Sequence, residues 1–123
     1  MSQLDSYRNT LMRKREEAAK LSQDLAKEQA KLSPLQSKII SAKSAISRTK
    51  NQATIKSRLG DIDRANKSIA DVQKKIGDIQ KKIAAKEKEV ATAEKNYFCL
   101  YLSSYYGLSF LIFCHIYFNQ LLT

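Results

Sequence analysis

The side chains best able to do chemistry are few in this chain of 123 residues. It has one histidine, His115, two cysteines, Cys99 and Cys114, and no tryptophan. A metal cluster, a histidine-based catalytic triad and a disulfide framework all need more such residues, so the composition counts against each. Within one helix the two cysteines would lie about 22 Å apart, too far to bridge. We therefore predict no enzyme activity, catalytic residue, cofactor, metal site or small-molecule substrate.

Charge is distributed unevenly along the chain. Lys and Arg number 22 and Asp and Glu number 12, a net charge of +10, and all of these residues lie within residues 1–96. Three glycines and one proline are too few for a turn-rich β fold. The abundance of Lys, Ala, Ile, Leu and Glu is typical of long helices. We predict an all-α fold, with a coiled coil over residues 1–96 and an apolar tail over residues 97–123.

Apolar residues recur every seven positions in two rows, one beginning at Leu4 and one at Ile55. Each row has a companion three residues further on, which is the spacing of a coiled-coil seam. The rows are out of phase by two residues, a shift that neither a stutter nor a stammer explains. A turn near residues 48–54 explains it, with Asn51 left-handed and Thr54 capping the next helix. Two arms of similar length then form an antiparallel helical hairpin.

The facing residues of this hairpin can be assigned by arithmetic. A centre at Gln52 makes the numbers of facing residues add to 104, so that Leu25 faces Ile79 and Leu32 faces Val72. Isoleucine at both core rows of the second arm favours three or four strands, so we also expect a homo-oligomer. The predicted seam of the hairpin and its oligomers comprises Leu21, Leu25, Leu32, Leu35, Ile39, Ile62, Ile69, Val72, Ile76, Ile79 and Ile83.

Three charged residues interrupt the seams. Lys86 faces Ala18 and Lys14 faces Val90, and a lysine stem can lie over apolar surface while its ammonium reaches water. Glu28 faces an isoleucine and makes the poorest pair of the hairpin.

Pro34 lies inside the first arm, where a proline removes one helical hydrogen bond. One interpretation breaks the helix there, with Ser33 as N-cap and Pro34 at the first helical position. The other keeps one kinked helix. We favour the kink because the seam stays in phase from Leu25 through Leu32 to Ile39.

Residues 29–60 contain seven basic residues and no acidic ones, and the hairpin gathers them at the end that contains the turn. Such a basic tip suits the phosphates of nucleic acid or of anionic lipid headgroups. It lacks aromatic side chains and any nucleic-acid reading motif, which favours the alternative of a solvated face that keeps the bundle soluble. The basic tip comprises Lys31, Lys38, Lys43, Arg48, Lys50, Lys56 and Arg58.

Three strings carry a resemblance to a known family: LDSYR at residues 4–8, ISRTKNQATIKS at residues 46–57 and VQKKIGDIQKKI at residues 72–83. Residues 1–96 resemble a coiled-coil segment at the start of several bacterial multidomain proteins, including some that carry a Toll/interleukin-receptor (TIR) domain. The resemblance implies a segment that precedes an effector domain and assembles it. No effector follows in this sequence, so the resemblance transfers no catalytic residue.

Residues 97–118 form an uncharged stretch of 22 residues. As a helix it would be about 33 Å long, enough for the hydrocarbon core of a bilayer. Lys88 and Lys95 precede it, so we expect a single-pass membrane protein with a cytoplasmic N-terminus. The predicted membrane segment includes Tyr97, Leu102, Leu108, Phe110, Leu111, Ile112, Phe113 and Phe118.

Two other interpretations of the tail remain. The loss of charge is abrupt, and the tail has the composition that many A/T-rich codons give when read out of frame. The chain would then be a truncated or frameshifted remnant of a bacterial defence-type protein, located in the cytoplasm. A buried core helix is the third interpretation.

The leading expectation is a non-enzymatic oligomerisation coiled coil tethered to a membrane, and a basic helical binder of nucleic acid or anionic lipid is a further alternative.

Overall fold

A computed structural model describes residues 2–107, together with Ile112, Ile116 and Asn119. Within residues 2–107, three helices follow one another: α1 (Gln3–Ala30), α2 (Leu32–Arg48) and α3 (Gln52–Tyr106). No strand occurs in this part of the chain, and the prediction of an all-α fold is confirmed.

α1 begins in a reciprocal cap. The backbone N–H of Asp5 donates to Ser2 Oγ at 3.2 Å, and the Ser2 hydroxyl donates to Asp5 Oδ2 at 2.7 Å. Asp5 also pairs with Arg8 at 3.2 Å. A carboxylate in the first helical turn favours the helix N-terminus, so the opening residues define where α1 starts.

Pro34 lies one turn after the point where the helical hydrogen bonds between α1 and α2 are interrupted. It has no N–H to donate to the carbonyl one turn earlier, at Ala30, which is the last residue of α1. Lys31 keeps helical dihedral angles, φ −74° and ψ −20°, and its N–H donates to the Glu28 carbonyl at 3.1 Å. The two helices are therefore joined by a single defect, and Ser33 lies inside α2 rather than capping it.

Asn51 caps α3. Its side-chain oxygen accepts hydrogen bonds from the N–H groups of Ala53, at 3.0 Å, and Thr54, at 3.4 Å. Thr49, two residues earlier, is extended, with φ −123° and ψ 147°. Asn51 does not adopt the left-handed conformation expected for it, and the cap expected at Thr54 belongs to Asn51. An asparagine oxygen reaches the orphan amides of the first turn, which makes a left-handed residue unnecessary.

Gly107 ends α3. Its φ of +87° is left-handed, and its N–H donates to the Ser103 carbonyl at 3.0 Å, as is usual for a glycine just past a helix C-terminus. The Lys95 ammonium also donates to Asn119 Oδ1 at 2.7 Å, whereas an unbroken helix would hold these residues about 36 Å apart.

The expected membrane span is therefore wrong. The uncharged part of α3 runs only from Tyr97 to Tyr106, about 15 Å of helix, against the roughly 30 Å of a hydrocarbon core. Within the described residues, no helix has both the length and the apolar character needed to cross a bilayer. This finding contradicts the predicted single-pass membrane localisation. Of the predicted segment, Tyr97 and Leu102 are half-buried on α3 and Ile112 is exposed. The other five residues, Leu108, Phe110, Leu111, Phe113 and Phe118, lie outside the described residues.

Contacts divide the chain into two compact units, one of residues 1–20 and 83–123 and one of residues 21–82. Leu11 and Ala93 are the buried apolar side chains described in the first unit, and Ala42, Ala65 and Val72 in the second. Each is 4–8% exposed. Both cores are thin because each is built from few side chains, most of them small.

Candidate functional site

All but one of the predicted seam residues are half-buried. Of the eleven positions, Val72 is buried and the other ten are half-buried, and none is exposed. Side chains that pack in a complete core are covered almost fully. The apolar seam in this structure is therefore covered in part, and it keeps accessible apolar surface along α1, α2 and α3.

A cluster of four charged residues joins α1 to α3 in the first unit. The Lys86 ammonium donates to Glu17 Oε2 at 2.6 Å and pairs with Glu89 Oε2 at 2.8 Å. Lys14 Nζ donates to the same Glu89 oxygen at 3.0 Å. The side chains of Lys14 and Lys86 are only 24% and 21% exposed, so their stems are covered while their ammonium groups are paired.

The pairing shifts the titration of this cluster. The hydrogen bond from Lys86 holds the pKa of Glu17 below its ordinary value, despite an opposing contribution from desolvation. Lys86 and then Lys14 lower the pKa of Glu89 in the same way. In return, Glu17 and then Glu89 raise the pKa of Lys86. Glu17, Glu89 and Lys86 are therefore charged at neutral pH, and the cluster acts as an electrostatic clamp between α1 and α3.

Sequence reasoning assigned the two lysines to apolar partners and missed the carboxylates. Glu17 immediately precedes Ala18, and Glu89 immediately precedes Val90, the residues that the lysines were expected to face. A flexible lysine reaches the acidic neighbour of its facing residue. A carboxylate one position from the expected partner was the signal that could have predicted the clamp.

Glu28 is a half-buried polar residue whose hydrogen bonding is incomplete in the described part of the chain. Its Oε1 accepts from Lys31 Nζ at 2.5 Å, but its Oε2 is buried with no hydrogen-bond partner in the described part of the chain. The side chain is 17% exposed. The seam arithmetic had identified this residue as the poorest pair, and a buried carboxylate oxygen left unbonded is costly.

All seven basic-tip residues are exposed. Lys31 pairs with Glu28, and Arg58 pairs with Asp61 at 3.4 Å. Within the described ranges, no carboxylate lies within ion-pair distance of the other five. Those five are Lys38, Lys43, Arg48, Lys50 and Lys56.

A groove of about 820 Å³ opens between α2 and α3 in the second unit. Ala42 and Ala65 lie at its floor, and Lys38, Arg58 and Arg64 are among its lining residues. Both arginines pair with Asp61, the one acidic residue of the lining. A smaller groove of about 460 Å³ lies in the first unit beside Tyr7, Lys14 and Lys88.

Aromatic side chains line the end of α3. Tyr97 and Tyr101 have ring centroids 6.0 Å apart, and Tyr101 and Tyr105 5.0 Å apart. Tyr105 is 71% exposed and Ile112 65% exposed. This aromatic surface belongs to the first unit.

Residues of the ligand-binding types are not brought together. Across residues 2–107 and the three further described positions, no group of three His, Cys, Asp or Glu side chains is placed to hold a metal ion. Cys99 is half-buried on α3. Cys114 and His115 lie outside the described residues.

The chain was compared with family models, with curated proteins and with solved structures. Nothing matched. The function is therefore inferred from the geometry of the chain itself.

Proposed function

We propose that this protein is a non-enzymatic assembly element, an antiparallel helical hairpin coiled coil whose copies associate through their seams. The observation that carries the proposal is the half-burial of ten of the eleven seam positions. A second hairpin packed on the seam would cover the apolar surface that one hairpin leaves accessible. Isoleucine at both core rows favours bundles of three or four helices over a two-helix pair.

The charged clamp supports the antiparallel pairing. Lys14 pairs with Glu89 and Glu17 with Lys86, and in both pairs the residue numbers add to 103. Arg15 also pairs with Glu94, a total of 109. Totals that stay within five of the 104 of the seam arithmetic are expected of two helices that run in opposite directions and carry long charged side chains. The resemblance of residues 1–96 to segments that precede TIR domains supports the same assembly role.

Disulfide crosslinking tests the hairpin. Leu25→Cys and Ile79→Cys, with Cys99 and Cys114 replaced by Ser, should form a disulfide within one chain, because the two positions face each other in the proposed pairing. The crosslink is detected by gel mobility with and without reductant. Leu25→Cys paired with Lys67→Cys is the matched control and should stay reduced. If the Leu25→Cys, Ile79→Cys pair forms no disulfide, the facing assignment is refuted.

Sedimentation tests the self-association. The chain should sediment as a dimer or larger at micromolar concentration. Ile69→Ala with Ile76→Ala should shift it towards monomer, since both isoleucines would be fully buried only in the assembly and truncation of a fully buried isoleucine costs about 2–5 kcal/mol. Lys74→Ala, at an exposed position on the same helix, should leave the oligomer intact. A monomeric parent chain would contradict the proposal.

A second candidate function is supported by the basic tip, whose five unpaired cations are free to meet phosphate groups. Binding to a DNA duplex or to anionic vesicles should weaken steeply as salt is raised. Lys43→Glu with Lys50→Glu should weaken it more than Lys74→Glu with Lys81→Glu does. Absence of binding at low salt would remove this candidate.

A further inference from the structure

The groove between α2 and α3 has the dimensions of a helix-docking site. Its lining runs along α2 from Pro34 to Ala45, which is about 17 Å, or three helical turns. Ala42 and Ala65, at its floor, are only 4% and 5% exposed. Alanine methyl groups let the backbone of a third helix come close, and Leu35 offers it half-buried apolar surface.

The charges that line the groove are positive in excess. Lys38, Arg58 and Arg64 face one carboxylate, Asp61, which both arginines already engage. Lys38 is exposed and has no carboxylate within ion-pair distance in the described residues, and Arg64 is 72% exposed. In helical bundles, charges that flank an apolar seam select the partner helix by complementarity.

We infer that this groove binds a third α-helix supplied by another protein, whose Leu and Ala stripe is flanked by Glu or Asp. The apolar stripe would lie on Leu35, Ala42 and Ala65. The flanking carboxylates would meet Lys38 and Arg64. This site shares Leu35 with the seam proposed for self-association, and it differs from that seam in taking a partner of opposite charge.

A second copy of this chain fits the groove poorly. Two copies that met groove to groove would place Lys38, Arg58 and Arg64 against their own duplicates. Several of the chain's own carboxylates are already engaged, Glu17 and Glu89 by Lys86 and Glu94 by Arg15 at 2.8 Å. A nucleic-acid backbone has no apolar edge to fill the alanine floor. The combined charge and shape therefore favour an acid-flanked helix.

Titration with a designed peptide tests the inference. The probe is a fluorescein-labelled peptide of three heptads with Leu and Ala at its core positions and Glu at the flanking positions. The matched probe carries Gln in place of Glu. Fluorescence anisotropy should show saturable binding of the Glu peptide to the full chain, and about tenfold weaker binding of the Gln peptide. Equal binding of the two peptides, or no saturable binding of either, would overturn the inference.

Variants locate the site. Lys38→Glu with Arg64→Glu should weaken binding of the Glu peptide by about tenfold, since two flanking ion pairs become repulsions. Ser41→Trp, which fills the groove without changing its charge, should weaken binding of both peptides. The controls are Lys74→Glu with Lys81→Glu for charge and Ser57→Trp for bulk, and circular dichroism verifies that each variant stays helical.

Two results would contradict the site. The first is unchanged peptide binding by the Lys38→Glu, Arg64→Glu variant and by Ser41→Trp. The second is a groove that binds polyanions instead. In that case the parent chain binds duplex DNA or anionic vesicles but not the Glu peptide, and the Lys38→Glu, Arg64→Glu variant loses the binding to DNA or vesicles. Sedimentation of the same samples separates these results from a failure of self-association.

Discussion

At the residue scale, the burial of the Glu28 carboxylate costs folding stability. One carboxylate oxygen is bound by Lys31, and the other is buried without a partner in the described residues. An apolar side chain of similar size would remove the unsatisfied oxygen and add to the seam. The residue is therefore a candidate for stabilisation rather than for function.

We expect Glu28→Leu to raise the free energy of unfolding by about 1–3 kcal/mol, the usual cost of an unsatisfied buried polar group. Urea unfolding followed by circular dichroism measures the change. Glu16→Leu, at an exposed position in α1, is the control and should change stability little. A loss of stability in Glu28→Leu would show that the ion pair with Lys31 outweighs the unbonded oxygen.

The clamp predicts acid sensitivity. The pKa values of Glu17 and Glu89 are lowered by folding, so their contribution is present above the ordinary carboxyl value of 4.5 and is lost as pH falls through the lowered values. The pKa of Lys86 is raised, so its contribution is lost only as pH rises above 10.5. The thermal midpoint should therefore fall on acidification below about pH 4.5. Glu17→Gln with Glu89→Gln should flatten this dependence, whereas Glu87→Gln should not.

Heptad arithmetic placed Lys14 and Lys86 one position away from the carboxylates that they pair with, and it could not predict the clamp. It treats each residue as a point on a helix face, whereas Lys14 and Lys86 reach past the facing residue to the next carboxylate. The sequence indicated that Glu28 is an unfavourable seam position, and the structure leaves one of its carboxylate oxygens buried without a partner in the described residues.

At the element scale, individual capping and helix-ending residues decide where helices begin and end. The composition was sufficient to predict an all-α fold, and the polar string around Asn51 contains the turn. The end of α3 was missed because residues 97–118 were taken as one continuous helix. Gly107 was the available signal, since glycine is the usual residue just past a helix C-terminus.

The cap of α3 gives a test at this scale. Asn51→Ala removes the acceptor for the N–H groups of Ala53 and Thr54 and should destabilise the chain by about 1 kcal/mol. Thr54→Ala, which removes the cap expected from the sequence, should cost much less. Denaturant midpoints of the two variants compare them directly. Equal losses would mean that the hydroxyl of Thr54 also supports the turn.

At the scale of the whole molecule, charge opposes assembly. The net charge is +10, and residues 29–60 hold seven positive charges without a negative one. Copies that approach one another must therefore overcome repulsion before their seams meet. Salt screens such repulsion, while it strengthens apolar contacts slightly or leaves them unchanged.

Self-association should therefore increase with ionic strength. Sedimentation velocity at about 50 mM and about 500 mM sodium chloride should show a larger average mass at high salt, because the Debye length shortens from above 10 Å to below it. Lys43→Glu with Lys50→Glu should reduce the difference by lowering the charge of the tip. Dissociation at high salt would instead indicate an assembly held by ion pairs.

The small size of the buried side chains has a calorimetric consequence. Three of the five buried apolar residues described are alanine, so the fully buried core contributes little of the apolar surface that unfolding of one copy exposes. The heat-capacity increment of unfolding grows with that surface. An isolated copy should have a shallow stability curve and a broad melting transition, and any process that covers its isoleucines should sharpen the transition as protein concentration rises.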